Sequence, residues 1–195
     1  MLTILSLFDY SGVWSQPYAD AGYNVVRVDL KNGQDVMTFD YKSIGPVYGI
    51  LAAPPCTCFS ISGARWWAGM DASGRTAVMV TLLKKTIEII DYLSPSFWAI
   101  ENPVGRIADF APEIGKPWYF QPCDYGDPYT KKTGLWGDFV PPLPIFLGSD
   151  WSVVPSQGSK MHLLPQTDVR SQLRSETPAG FARAFYLCNR ESSPR

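Results

Sequence analysis

An α/β, doubly wound fold is predicted for this chain from three observations. Short apolar runs rich in β-branched residues alternate with helical patterns along its first half. The first two runs are joined by a segment long enough for a crossover helix, which makes the strands parallel and the crossover right-handed. Reactive or acidic side chains stand where the runs end: Asp29, Cys56 and Glu101. In such sheets the carboxyl ends of the strands are where ligands bind.

The elements follow in order. Thr3 to Phe8 is an apolar run that ends in Asp9-Tyr10-Ser11-Gly12, a turn-forming sequence. Trp14 to Ala21 reads as a helix closed by Gly22, and Asn24 to Asp29 as a second strand. Asp29 then occupies the place of a carboxylate that grips ribose hydroxyls. A third strand, Tyr48 to Ala52, leads into Pro54-Pro55-Cys56. From Thr76 to Leu93 the spacing predicts a helix, with Val80, Leu83, Ile87 and Ile90 on one face and Lys84, Lys85 and Glu88 on the other. Phe97 to Ile100 is the next strand, delivering Glu101-Asn102-Pro103 into a loop. From Pro112 to Pro165 the chain is rich in Pro, Gly and aromatics, with strand-like pieces at Trp118-Tyr119-Phe120 and Gly134-Leu135-Trp136. A last helix is expected from Pro178 to about Cys188, with Ser175 or Thr177 as its cap and Pro178 in its first turn.

Composition bounds the function. The 195 residues fit one domain over 1–190 with a short tail at 191–195. A formal net charge of −1 argues against a strongly basic nucleic-acid binder and leaves room for a local basic face. No apolar run approaches a membrane span, and the N-terminus lacks a signal peptide's pattern. With four cysteines and no export signal, a reducing cytoplasm and free thiols are expected. Aromatics reach 14%, with seven Trp. Such a surplus either packs a core or lines a pocket that stacks on a flat ligand.

The Pro54-Pro55-Cys56 segment carries the chemistry. Two prolines fix φ and lower the entropy of the turn, so the thiol is held in place at a strand end, as a nucleophile needs to be. The alternative is a buried structural cysteine, the commoner role for this residue type. Cys56 and Cys58 make a poor half of a metal site, because Cys123 and Cys188 are single and distant and His162 is the only histidine. No metal is expected.

Together these motifs resemble the DNA cytosine-5 methyltransferase family, on a Rossmann-like class I S-adenosylmethionine-dependent methyltransferase fold. The resemblance rests on Ala52-Ala53-Pro54-Pro55-Cys56-Thr57 followed by Phe59-Ser60, and on Glu101-Asn102-Pro103 at the end of its own strand. Phe8-Asp9-Tyr10-Ser11-Gly12 resembles the cofactor motif, with Tyr10 in place of its first glycine. The resemblance implies that Phe8, Tyr10, Gly12, Asp29, Asp35, Pro54, Ser175 and Thr177 bind S-adenosylmethionine. It also implies that Cys56, Glu101 and Asn102 are catalytic. Tyr125 to Thr133 resembles a later family motif without its Gln and arginines, and Arg174-Ser175-Glu176-Thr177-Pro178 resembles the one that closes the cofactor pocket. Pro55, Ser60, Arg65, Lys131, Lys132 and Arg174 are then expected to face the substrate; Arg170 is a further candidate for phosphate contact. For each cation the plain alternative is a solvated surface residue.

The family's long target-recognition region has no counterpart. Only Gly137 to Leu173 is available for it, within a reduced substrate region at about 112–173. The expected reaction is therefore methylation of cytosine C5 with little or no built-in sequence specificity. Cys56 would add to C6, and Glu101 would offer a proton at N3. The expected substrate is DNA, duplex or single-stranded, or a free cytosine nucleotide. A protein partner that supplies DNA recognition is a further expectation, and so is a non-catalytic binder that keeps the pocket. The compact size suits a viral or mobile-element gene.

Overall fold

The computed structural model describes residues 1–144, 157–159 and 175–191. Six strands form one mixed sheet: β1 (Thr3–Leu7), β2 (Asn24–Val28), β3 (Gly49–Ala52), β4 (Phe97–Pro103), β5 (Trp118–Phe120) and β6 (Thr133–Asp138), in the order β2-β1-β3-β4-β6-β5. The first four are mutually parallel, while β6 runs antiparallel to both β4 and β5. The chain crosses from β2 over β1 to β3, so the order reverses beside β1, and a crevice opens at the carboxyl ends there.

Among the described residues, five helices flank the sheet: α1 (Gln16–Asp20), α2 (Trp67–Ala72), α3 (Arg75–Leu93), α4 (Ile107–Phe110) and α5 (Ala179–Asn189). Alternation along the strands splits the core into two layers. Leu5, Leu7, Ile50, Ala52 and Ile100 pack with Leu83, Ile89 and Ile90 of α3. From the opposite face, Ile4, Leu51, Phe97 and Ala99 pack with Trp14, Tyr18, Phe181 and Phe185 around α1 and α5. This second layer is the more aromatic of the two, and in it the Phe120 and Phe181 rings stack with centroids 3.7 Å apart.

Four local expectations are corrected. Helix α1 begins at Gln16, two residues after Trp14, because the Ser15 hydroxyl is drawn to Asp9 and does not cap it. The buried stripe of α3 is Thr76, Leu83, Thr86, Ile89 and Ile90, with Val80 and Ile87 only partly covered. Thr86 enters that stripe because its hydroxyl is satisfied by the Leu82 carbonyl at 2.9 Å. Glu101, Asn102 and Pro103 continue β4 and form no loop, since β6 pairs with them as Glu101↔Leu135, Asn102↔Gly134 and Pro103↔Thr133. At the start of α5, Pro178 occupies the N-cap with extended backbone and no side chain caps the helix, so neither Ser175 nor Thr177 does.

Candidate active site

The ends of β1, β2, β3 and β4 open into one cleft of about 1250 Å³. Phe8, Tyr10, Asp29, Asp35, Pro55, Cys56, Ser60, Arg65, Lys131, Lys132, Ser175 and Thr177 all line it, drawn from seven separate stretches of chain. Gly12, Pro54, Glu101 and Asn102 are not among its lining residues. Arg170 and Arg174 lie outside the described residues.

The β1 turn is braced from beneath by a residue whose role sequence reading missed. Asp9 is buried and accepts bonds from Ser6 Oγ (2.8 Å), Ser15 Oγ (2.6 Å) and the Gly12 N–H (2.9 Å). The brace holds Phe8 at φ 61°, a conformation that costs a non-glycine residue about 1–3 kcal/mol. Gly12 has φ +75°, and a side chain there would strike the Arg27 guanidinium. A serine three residues before Asp9 and another six after it were the available signal.

At the end of β2, Asp29 accepts the Lys31 N–H at 2.8 Å, and Asp35 accepts the Met37 N–H at 2.9 Å. Leu30 lines the cleft between them and is 74% exposed. The Lys31 ammonium lies 4.9 Å over the Tyr10 ring, so the β1 and β2 turns meet at the cleft mouth.

Cys56 sits in a turn that its own carbonyl closes, accepting from the Phe59 N–H (2.9 Å) and the Ser60 N–H (2.8 Å). Three ties lock that turn to the end of β4. Asn102 Nδ2 donates to the Pro54 carbonyl at 3.0 Å. Ile61 N–H donates to Val104 and Arg106 N–H to Phe59, both at 2.9 Å. The Arg106 side chain donates to the Cys58 carbonyl at 3.0 Å and grips the Asp71 carboxylate through two bonds of 2.8 and 2.7 Å. That grip, with the Thr76 hydroxyl, holds the Asp71 carboxyl down at about 2. Nothing in the sequence marks Arg106 except its place just beyond Glu101-Asn102-Pro103.

Glu101 lies behind this turn, 5% exposed. Its Oε1 has no hydrogen-bond partner among the described residues, and the Lys131 ammonium stands 3.7 Å away. Burial pushes the Glu101 carboxyl up, and the Lys131 charge opposes that shift. Lys131 itself lines the cleft, so it connects the buried carboxyl with the open space. The arrangement joins a placed thiol, a carboxyl biased toward its protonated form and an ammonium, which suits attack on an electron-poor ring whose charge needs a proton.

Comparison with known proteins finds methyltransferases. The chain is 35% identical, over 164 residues, to the probable DNA (cytosine-5)-methyltransferase of Frog virus 3 (isolate Goorha), covering 72% of this chain and 73% of that protein. It is 25% identical over 169 residues to the type II methyltransferase M.DdeI of Desulfomicrobium norvegicum, covering 67% of this chain but 39% of that protein. Among solved structures, one described as a putative DNA modification methyltransferase encoded within an E. coli prophage superposes with a TM-score of 0.51 at 19% identity. That match covers 71% of this chain and 47% of the other, and it supports the α/β methyltransferase fold. No protein-family profile matches the chain.

Proposed function

This chain belongs to the DNA (cytosine-5)-methyltransferase family, and from that premise we propose that it methylates C5 of cytosine in DNA through a covalent bond between Cys56 and C6. The observation that carries the reading is the pairing across β3 and β4. Cys56 lines the cleft beyond one strand, and Glu101, whose carboxyl burial pushes up, stands near the end of the next.

The residues at the β1 and β2 ends fit S-adenosylmethionine by their chemistry. Asp29 and Asp35 would accept from ribose hydroxyls and an amine, and exposed Leu30 offers an apolar face to a flat ring. Gly12 keeps its turn free of a side chain. Phe8, Tyr10, Ser175 and Thr177 line the remaining wall. When bound, the cofactor supplies an electrophilic methyl group on a sulfonium.

Cytosine C5 is a poor nucleophile until C6 is attacked. The Cys56 thiolate adds to C6, and the ring's electrons move toward N3 and C5. Glu101 donates its proton at N3, which offsets the charge and leaves C5 an enamine carbon. After C5 is alkylated, a base removes its remaining proton, the C6–S bond breaks, Cys56 leaves as thiolate and the N3 proton returns to the Glu101 carboxylate. Asn102 acts as a positioning residue here, because its amide holds the Pro54 carbonyl of the Cys56 turn. Pro55, Ser60, Arg65, Lys131 and Lys132 form the substrate side of the cleft. The short stretch between β6 and α5 accounts for our reading of little built-in sequence specificity, with recognition left to a partner chain where it is needed.

Nucleoside mass spectrometry tests the proposal after incubation with S-adenosylmethionine and duplex DNA, single-stranded DNA or a cytosine nucleotide. A 5-methylcytosine signal that vanishes in Cys56→Ala, with cofactor affinity nearly unchanged, is the expected result. Transfer that survives Cys56→Ala rejects the covalent step. Absence of product in every arm, with cofactor bound, points to a protein that keeps the pocket without turnover.

A further inference from the structure

The segment after Ser60 carries large side chains that the core does not use. Ile61 is 61% exposed and Trp66 59% exposed, and both line the cleft that holds Cys56. Trp67 does the opposite. Its indole nitrogen is buried, and its ring packs under the Arg106 guanidinium, 4.5 Å from the ring centroid. Because Arg106 is fixed to Asp71 and to the Cys58 carbonyl, the tandem tryptophans divide their tasks. One ring anchors the segment and the other is presented on it.

An exposed apolar patch rimmed by polar groups marks an interaction surface. The charge against the ring is cationic: the Arg65 guanidinium lies 5.0 Å over the Trp66 ring. Lys131 and Lys132 line the same cleft, whose carboxylates are Asp9, Asp29, Asp35 and Glu176. A cation beside the exposed ring favours an anionic partner at that place. An aromatic face beside cations along a groove is the chemistry that holds a nucleic-acid strand, with the ring stacked on a base and the cations on its phosphates.

We propose that Trp66, flanked by Ile61 and Arg65, is a stacking platform for the base next to the target cytosine, and that the preferred substrate is therefore unpaired DNA. This rests on the reading of the cleft as a cytosine methyltransferase site. The physical reason is availability of a face. Any base offers a flat surface to an indole ring, but in a duplex both faces of that base are already stacked on neighbours. Opening a duplex costs unstacking and unpairing energy that a single strand does not demand.

The test measures equilibrium binding of a labelled single-stranded oligonucleotide with one cytosine, by fluorescence anisotropy at fixed salt. Wild type, Trp66→Phe and Trp66→Ala are compared on the intact strand, on strands with an abasic site on either side of the cytosine, and on the duplex. Trp66→Ala is expected to weaken binding to the intact strand about tenfold or more, with Trp66→Phe losing less. An abasic neighbour on one side should weaken the wild type similarly and leave Trp66→Ala little further to lose. Equal affinity of wild type and Trp66→Ala for the intact strand overturns the platform, as does the same loss on the intact strand and both abasic strands. Methyl transfer is followed in parallel. Trp66-dependent binding without any transfer overturns the catalytic reading and leaves the platform standing; transfer with Trp66-independent binding does the reverse.

Discussion

A carboxyl buried as deeply as that of Glu101 is held above its usual range because its ionised form loses hydration, and the Lys131 ammonium at 3.7 Å pulls it back. The two influences oppose each other in setting where Glu101 gives up its proton. Turnover that needs a protonated Glu101 falls as pH rises through the folded value. Removing the Lys131 charge takes away the one influence that favours the carboxylate, so the folded value rises further. Lys131→Met is therefore expected to move the alkaline limb of the kcat–pH profile upward, even where loss of a substrate contact lowers the rate itself. A profile measured over the neutral and alkaline range checks this; an unmoved or downward-moved limb contradicts the pairing. Cys56 poses a different question at the same scale. Its turn is closed by its own carbonyl, so the thiol's placement is a property of backbone bonds and not of its side-chain neighbours alone.

At the scale of elements, the reactive turn and the end of β4 behave as one unit. The Ser60↔Gly105 bridge brings the two backbones so close that a methyl group at Gly105 would sit 1.9 Å from the Phe59 carbonyl oxygen. All three atoms nearest that methyl are backbone, so relief requires the turn itself to shift. Gly105→Ala should then break the Ile61–Val104 and Arg106–Phe59 bonds. We expect a stability loss of about 1–3 kcal/mol, typical of forced overpacking, together with a fall in kcat of about tenfold or more, since small misplacements of a reacting group are costly. Urea unfolding and steady-state kinetics read the two effects separately. A stable variant with unchanged kcat would show that the turn does not depend on β4.

At the scale of the whole molecule, the sheet divides the labour between its faces. The layer built on α1 and α5 is aromatic and closely stacked, with Phe181 fully buried between Phe120, Tyr125 and Phe185. Truncating that ring removes both its burial and its stacking partners, so Phe181→Ala is expected to destabilise the fold by about 3–5 kcal/mol. The urea midpoint should drop accordingly; a loss under about 1 kcal/mol would mean that the layer collapses around the gap with little penalty. The aromatics that face the cleft (Phe8, Tyr10, Trp14 and Trp66) are a minority, so both uses of the aromatic surplus occur.

The parallel strands, their order along the chain and the clustering of motifs at their carboxyl ends were legible in the sequence, because continuous apolar runs and proline-rich turns are local signals. So was the thiol of Cys56, whose two prolines announce a fixed turn. The extension of β4 through Glu101 was not, because it depends on β6, whose Leu135 pairs with it across more than thirty intervening residues. Nor were Asp9 and Arg106 recognisable as the braces of the two reactive turns, since ordinary polar residues gain those roles only from what folding brings beside them. The opposite fates of Trp66 and Trp67 show the same limit. Adjacent and chemically identical, they are told apart only by the Arg106–Asp71 grip that covers one ring and leaves the other in the cleft. Sequence by itself determined the family resemblance and at which strand ends the candidate residues fall. Only the tertiary structure decided which side chains are buried, paired or presented, because burial and long-range pairing are properties of neighbours that the linear order does not contain.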